Sequence, residues 1–527
     1  MLRKIFALSF VIVFALCAVS YAEILAGPGI AVAETENGKL QGFIRDGIYT
    51  YHGVQYATAE PFMPPQKLSS WDGVKLALNY GPMSPQSIKP EDDMFPVHYN
   101  WPLWEGRNYP QSNSCQNLNI WTPGLDDAKR PVMIWLHGGG FEAGSSLAED
   151  VYRGENLARK GDLVVVSINH RLNVLGFLDL SAYGEKYKYS GNLGMMDIVA
   201  ALEWVRDNIA HFGGDPNNVT LFGQSGGGAK ILTLMAMPSA KGLFHKAIEQ
   251  SGAVEMMGIT LPDQKISRKV AELVLADLDI DPTNVDSLKD IPFERLDMAG
   301  KKALAEVKIS WSPVKDGDLI PKDPVKGGFS EWAKDIPLMA GSVLNEWISV
   351  PLVANMAENQ GDNKNFWDEA KTSAKLRERF GDKADKVTAA FLKAYPWKKP
   401  GDSLYVDTRL RLGAVETLNI KAKQPAPVYA YVFTWETPIM GGYAMAYHCS
   451  ELPFVFNNIA LSEKTTGGGE KAQLLADKMS QAWIDFARTG NPGWEAYTPE
   501  NGATMIFDDS PVLMNHHDTE LMKLLTE

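Results

Sequence analysis

The amino-acid sequence predicts an α/β protein with a central, mostly parallel sheet that carries helices on both faces. Short, continuously apolar segments such as 131–136 and 163–169 have the length and composition of buried strands. Amphipathic segments separate these strands. Residues 195–211, for example, repeat apolar side chains at spacings of three and four, as a helix does. Because strands and helices keep alternating along the chain, a parallel sheet covered by helices is the favoured architecture.

The 527-residue chain contains no linker, internal repeat or low-complexity tract that would divide it. We therefore predict that residues 23–527 form a single domain. The composition, 45% hydrophobic and 22% charged, is that of an ordinary globular protein. The net charge of −13 repels polyanions, so nucleic acid is not an expected partner.

Residues 1–22 have the features of a secretory signal peptide. Arg3 and Lys4 precede an apolar run over 5–19 that only Ser9 interrupts, and Ser20 and Ala22 supply the small side chains of a cleavage signal. The run is shorter than the ~20 residues of a membrane span, which disfavours the alternative of a retained anchor. We expect a protein that is secreted or periplasmic, with Glu23 as its first mature residue and no membrane attachment after cleavage.

The three cysteines give no sign of a disulfide framework. Cys17 would leave with the signal peptide, and Cys115 and Cys449 are far apart in sequence, so we expect no disulfide between them. Short Cys/His spacings typical of a zinc site do not occur in the sequence, and no metal or other cofactor is expected.

The segment Gly-Gln-Ser-Gly-Gly at 223–227, here named the serine turn, fits the pattern G-x-S-x-G. This pattern places the serine on a strained turn between a strand and a helix, where glycines on either side remove colliding side chains. A strand-like segment at 218–223 precedes the turn and a helix-like segment at 226–237 follows it. The sequence therefore predicts Ser225 as a nucleophile within an α/β-hydrolase fold.

A serine hydroxyl needs a general base, and in this fold the acid and then the histidine follow the serine along the chain. That order leaves His448, in a loop of little periodicity, as the expected base. His245 follows the serine too closely to leave room for an acid, and residues 516–517 belong to a polar tail. The other histidines precede the serine: His52, His98, His137, His170 and His211.

The acid should follow a strand between the serine and the histidine. Glu346 comes shortly after the apolar segment 336–341 and is favoured by its position. Asp316 and Asp318 compete with it, although their Asp-Gly-Asp sequence is typical of a structural turn. The pattern alone leaves the choice between them open.

A glycine loop, His-Gly-Gly-Gly at 137–140, follows the predicted strand 131–136. In this fold such a loop presents main-chain N–H groups to the negative charge that develops on the substrate oxygen. The sequence thus predicts an oxyanion hole beside Ser225, rather than a turn that serves compactness alone.

The chain resembles the type-B carboxylesterase family, which also contains the cholinesterases, over nearly its whole mature length. The resemblance implies a single α/β-hydrolase domain and an ester hydrolase without a cofactor that acts on small-molecule esters. The motifs that carry it are HGVQYA (52–57), NLNIWTP (117–123), VMIWLHGGGF (132–141), INHRLNVLGFL (168–178), GNLGMMD (191–197), residues 201–228, LFHKAIEQSG (243–252), SPVKDGDLIP (312–321), HCSELPFVF (448–456) and WIDFARTGNP (483–492).

Carried over position by position, the resemblance implies a catalytic triad and an oxyanion hole. Ser225, Glu346 and His448 match the family's nucleophile, acid and base, which favours Glu346 over the two aspartates. Ser251 matches a serine that supports the acid. The implied oxyanion donors are the N–H groups of Gly139, Gly140 and Gly226.

Three departures from the family pattern stand out. Ser112-Asn113-Ser114 replaces the acidic pair before Cys115, which implies that Arg171 makes a neutral hydrogen bond instead of a buried ion pair. Ser84 stands where the partner of Cys115 would be, so the family's first disulfide is expected to be absent. The serine turn carries Gln224 and Gly226 where glutamate and alanine are commoner, without loss of a catalytic group.

The site predicts ester hydrolysis through an acyl-enzyme intermediate. A non-catalytic recognition or adhesion protein is the alternative from another class, and an amidase or lipase could use the same triad. An aromatic loop over 94–109 and the residue after the glycine loop form a candidate substrate pocket, with ordinary packing as the competing interpretation. The candidate pocket residues are Phe95, Tyr99, Trp101, Trp104 and Phe141.

Overall fold

The computed structural model describes five stretches of the chain, and its centre is a large sheet. The described residues are 23–87, 109–146, 150–253, 261–348 and 362–527. The predicted signal peptide lies outside them. The strands in chain order are β1 Ile24–Leu25, β2 Val32–Glu34, β3 Lys39–Gln41, β4 Phe43–Arg45, β5 Ile48–Gln55, β6 Val74–Leu76, β7 Asn117–Thr122, β8 Arg130–Leu136, β9 Val164–Ile168, β10 Gly214–Gln224, β11 Lys246–Gln250, β12 Leu338–Val343, β13 Val428–Phe433, β14 Ala503–Phe507 and β15 Val512–Asn515.

Within these stretches, twelve strands form one sheet in the order β1-β4-β5-β7-β9-β8-β10-β11-β12-β13-β14-β15. From β9 through β14 in that order, every neighbouring pair is parallel. Antiparallel strands extend both ends of this core. The central strands are buried along their whole length, which is why their sequences are largely apolar instead of alternating between apolar and polar residues. The predicted mostly parallel sheet is confirmed.

Helices cover the sheet on both faces. Successive residues of β8 show this, because Ile134 packs into one hydrophobic core with α3 and Trp135 packs into the other with α12. The helices are α1 Glu155–Gly161, α2 Asn173–Phe177, α3 Leu193–Asn208, α4 Gly226–Leu234, α5 Gln264–Asp277, α6 Phe293–Val307, α7 Glu369–Phe380, α8 Ala384–Ala394, α9 Leu410–Lys421, α10 Leu452–Val455, α11 Glu463–Thr466, α12 Gly469–Thr489 and α13 Thr519–Thr526. In the part of the chain that the structure describes, no helix is long and apolar enough to cross a bilayer.

The predicted strands and helices occur where expected, with differences at their ends. Helix α4 ends at Leu234, three residues earlier than the sequence pattern suggested, and tight turns lead on to Pro238. The C-terminal residues are not a polar tail, because β15 and α13 pack there. The ring of His517 is buried, and its Nε2 lies 3.3 Å from the Tyr395 hydroxyl oxygen.

The expectation of a neutral hydrogen bond at Arg171 is wrong. Its guanidinium makes a two-point ion pair with Asp197, with Nη2 2.7 Å from Oδ1 and Nε 2.8 Å from Oδ2. Both side chains are buried. The carboxylate comes from α3 instead of from the residues before Cys115.

Cys115 and Cys449 form no disulfide, as predicted. The Cys115 thiol is buried and hydrogen-bonds with Ser84, the residue expected at the position of its lost partner. Burial raises the pKa of this thiol to about 12. Cys115 therefore remains a protonated core side chain at ordinary pH.

Candidate active site

The polar residues singled out in the sequence meet at one edge of the sheet. Because the central strands are parallel, their carboxyl ends lie along the same edge, which is where ligands bind in open α/β sheets. The glycine loop follows β8, the serine turn follows β10, and Ser251 follows β11. Glu346 comes three residues after β12, and His448 lies in the segment after β13.

The serine turn has the strained geometry that the motif predicts. Ser225 adopts φ 55° and ψ −126°, a backbone conformation that residues other than glycine rarely adopt. Its N–H donates to the Gln250 oxygen at 2.8 Å, which fixes the turn against the neighbouring strand. A Cβ at Gly227 would overlap the main-chain oxygen of Leu136, so this position admits only glycine.

Glu346 and His448 form a buried acid–base pair. Glu346 Oε2 lies 2.5 Å from His448 Nδ1, and both side chains are almost inaccessible to solvent. The main chains are also joined, since the His448 N–H donates to the Glu346 oxygen at 3.0 Å. The segments after β12 and β13 therefore hold the two residues together.

The second oxygen of Glu346 is also fully engaged. Its Oε1 accepts a hydrogen bond from the Ser251 hydroxyl at 2.7 Å and another from the Val343 N–H at 2.9 Å. Three donors thus fix the carboxylate and direct Oε2 at the imidazole. With its proton on Nδ1, the ring of His448 presents Nε2 as an acceptor.

The competing aspartates lie elsewhere and make structural contacts. Asp316 Oδ1 accepts from the main-chain N–H groups of Asp318 and Ile320, as in a turn. Asp318 is exposed and pairs with Lys188 at 2.9 Å. The geometry therefore favours Glu346 as the partner of His448.

Burial controls the protonation of the pair. Burial lowers the pKa of His448 to about 4, while the carboxylates of Glu451 and Asp407 act in the opposite direction. Burial also raises the pKa of Glu346, against the hydrogen bonds from Ser251 and Val343. The imidazole is therefore neutral at ordinary pH and ready to accept a proton.

This shift predicts an unusually acid-tolerant reaction. His448 works as a base only when neutral, so kcat/KM should stay level as pH falls through 6.5, the ordinary histidine pKa, and decline only toward about 4. A pH profile of kcat/KM for a neutral aryl ester measures the midpoint. A midpoint at or above the ordinary value would contradict the burial argument.

Two residues that the sequence interpretation did not select contact His448. Gln224 Nε2 lies 3.1 Å from His448 Nε2, and Gln224 Oε1 accepts from the Cys449 thiol at 3.1 Å. Trp347 stacks on the imidazole with ring centroids 4.2 Å apart and is 41% exposed. Their positions next to Ser225 and Glu346 in the sequence were the available signal.

Among the described residues, the Ser225 hydroxyl makes no hydrogen bond, and His448 Nε2 instead contacts the Gln224 amide of the serine turn. The other side of Ser225 meets the glycine loop. A Cβ built on Gly138 would lie 3.4 Å from the Cβ of Ser225, and one at Gly226 would overlap the Gly140 main chain. The loop and the nucleophile are therefore in direct contact.

The glycine loop presents main-chain donors to this space. Gly139 and Gly140 have φ values of 84° and 62°, and their N–H groups bond to no acceptor within the described ranges. Gly226 is the first residue of α4, where N–H groups have no partner within the helix. These three groups are the ones that the family resemblance implies as oxyanion donors.

The candidate pocket is described only at Phe141. That ring is buried and packs edge-on against Phe177 at 5.3 Å between centroids. Phe95, Tyr99, Trp101 and Trp104 lie outside the described residues. Over the five described stretches, no group of three or more His, Cys, Asp or Glu side chains could hold a metal ion.

The parallel sheet, the helices on both faces and the serine turn at the carboxyl edge define an α/β-hydrolase. The model of the Carboxylesterase family matches residues 30–523. The chain belongs to this family and is a carboxylic-ester hydrolase.

Named relatives and solved structures agree with this assignment. The chain is 33% identical to para-nitrobenzyl esterase of Bacillus subtilis (strain 168), with 93% of this chain and 97% of the relative covered. It is 32% identical to phenmedipham hydrolase of Pseudarthrobacter oxydans, with coverage of 91% and 95%. A solved esterase from Clostridium hathewayi, described as able to hydrolyse aliphatic aromatic polyesters, matches with a TM-score of 0.88. That match has 37% identity and covers 96% of this chain and 99% of the other.

Proposed function

We propose that this hydrolase cleaves esters through Ser225 as nucleophile, His448 as general base and Glu346 as the acid that orients the base. The observation that carries the proposal is the 2.5 Å contact between Glu346 and His448, beside a serine in strained conformation. The Ser251 and Val343 hydrogen bonds support it, because they keep the carboxylate directed at Nδ1.

In the proposed reaction, His448 Nε2 takes the proton of the Ser225 hydroxyl as its oxygen attacks the ester carbonyl. The Gly139, Gly140 and Gly226 N–H groups receive the oxyanion. The tetrahedral intermediate expels the alcohol, which leaves with the proton from His448, and water then hydrolyses the acyl-enzyme by the same steps. For attack to occur, the Gln224 amide must yield Nε2 to the serine when substrate binds.

A non-catalytic recognition protein would have the same fold, and an active-site label distinguishes the two. A fluorophosphonate should phosphonylate Ser225 Oγ with loss of fluoride, because only an activated serine reacts. Mass spectrometry of the digested protein locates the label. Labelling at another serine, or none, would contradict the proposed nucleophile. Comparison of an ester with its matched amide tests the amidase alternative.

We propose that the preferred substrates are small esters with an aromatic group. The names of the B. subtilis and C. hathewayi relatives support the aromatic group, as does Trp347, which is half-exposed and lies beside His448. Aromatic rings pack favourably on an indole, so benzyl acetate should give a kcat/KM about tenfold above that of hexyl acetate. Equal values for the two esters would contradict the preference.

We also propose export through residues 1–22, on the basis of their charge and apolar pattern. N-terminal sequencing of protein from the native host's culture medium or periplasm should begin at Glu23. An intact N-terminus in a membrane fraction would instead favour a retained anchor.

A further inference from the structure

Lys230 on α4 is a completely buried lysine next to the candidate active site. Its amine donates a hydrogen bond to the main-chain oxygen of His137 at 2.9 Å. It also lies 5.7 Å from the ring centroid of Phe141, within the range of a weak cation–π contact. Lys230 therefore contacts the residues on both sides of the three loop glycines.

Nothing in packing requires an amine at this place. A buried ammonium is costly unless it is paired, and an apolar side chain of equal size would fill the same space. No carboxylate partner of Lys230 occurs in the described part of the chain. Burial lowers the pKa of its amine to about 7. A costly buried cation beside a reaction centre is typical of a functional role.

The surroundings of the amine are neutral. His137 and His170, whose rings stack with centroids 5.0 Å apart, both interact electrostatically with Lys230. Burial, and then the Lys230 charge, hold the pKa of both rings well below the ordinary value. Glu249 of β11 is a buried acid beside the same helix, and its side chain lies against Gly228. Two residues along a helix turn by about 200°, so Glu249 lies on the other side of α4 from Lys230.

The glycine loop needs fixed points because glycines have the least conformational restriction of any residue. Four residues after the loop, the Gln86 side chain accepts from the Gly144 N–H at 2.8 Å and donates to the Gly144 main-chain oxygen at 3.0 Å. At the first residue of the loop, Lys230 donates to the His137 carbonyl. Since Lys230 belongs to the helix that begins just after Ser225, it couples the loop to the nucleophile.

We infer that Lys230 is a positioning residue. It fixes the glycine loop through its hydrogen bond to the His137 carbonyl and places positive charge near the N–H donors of the loop. The inference rests on the proposed function, since it assigns Lys230 to the oxyanion donors of that reaction. A preorganised donor matters most when negative charge develops, so Lys230 should affect the transition state more than substrate binding.

The test compares Lys230→Met with Lys421→Met. Lys421 is also buried, burial lowers its pKa to about 8, and its amine donates to a main-chain oxygen, that of Lys334. Lys334 precedes β12, so this control lies at the opposite edge of the sheet from the site. Thermal unfolding shows whether each variant is folded.

For Lys230→Met we expect kcat on an aryl acetate to fall about tenfold or more, with KM within about threefold. Affinity for an aryl trifluoromethyl ketone, which forms an oxyanion with serine, should fall by a similar factor. Affinity for the matched methyl ketone, which does not form this oxyanion, should stay unchanged. Lys421→Met should equal the wild type in all three. If kcat and the trifluoromethyl ketone affinity of Lys230→Met also equal wild type, the inference is wrong.

Turnover and labelling of the wild type separate this inference from the proposed function. If wild type neither hydrolyses esters nor labels at Ser225, the proposed function fails. Labelling and turnover with an unaffected Lys230→Met refute the positioning role alone.

Discussion

Ser225→Ala is expected to lower kcat for a short-chain aryl ester by about 10⁴- to 10⁶-fold, while substrate binding and the fold are retained. The change removes one oxygen and leaves the donors of the glycine loop in place. Alanine adds no bulk at φ 55°, so the serine turn keeps its strain and its Gln250 hydrogen bond. Product formed over several days of incubation gives the residual kcat, and a thermal unfolding curve shows whether the fold is retained.

Ser239→Ala provides the control for this prediction. Ser239 is exposed and follows the far end of α4, so its loss should change neither kcat nor fluorophosphonate labelling. Wild-type turnover in Ser225→Ala would exclude Ser225 as the nucleophile. Turnover lost together with the folded state would indicate a structural effect instead.

Glu346→Gln is expected to lower kcat by about 10³- to 10⁴-fold. Glutamine has the shape of glutamate but lacks the charge that stabilises the imidazolium during attack. Its amide can also donate to Nδ1, which would place the proton of His448 on Nε2, where it blocks the serine. Burial raises the pKa of Glu346, so a neutral side chain should be tolerated there without loss of thermal stability.

Asp318→Asn is the matched control, because Asp318 was the competing acid in the sequence pattern. Its carboxylate contacts Lys188 and Tyr189 at the surface. We expect kcat to remain within about twofold of wild type, since exposed ion pairs contribute little. A large loss in Asp318→Asn with an active Glu346→Gln would reverse the assignment of the acid.

Much of the fold and site could be predicted because the informative patterns are local. An apolar run, a glycine pair around a serine, and three glycines after a strand each report the conformation of a few consecutive residues. The central strands β8, β9, β10 and β12, helix α3 and the serine turn followed from such patterns. The C-terminal end of α4 and the packing of residues 512–527 did not, because tertiary contacts override weak local preferences.

Pairings across long stretches of sequence were decided by the sheet. Glu346 reaches His448 because β12 and β13 are neighbours in parallel register, which brings the segments after them together. The local pattern favoured Glu346 over Asp316 without settling the choice, and the family resemblance favoured it further. Arg171 likewise found Asp197 rather than the neutral partner expected from the sequence, since helix α3 packs against it.

By itself, the sequence determined the α/β class, the nucleophile candidate, the glycine loop and the histidine, because short motifs dictate local backbone geometry. The tertiary structure alone decided which acid faces His448, that Gln224 and Trp347 contact the base, and that Lys230 contacts the His137 carbonyl of the glycine loop. Those relations join residues from different strands and helices. They depend on strand order and on the burial of polar groups, which no segment of the sequence specifies alone.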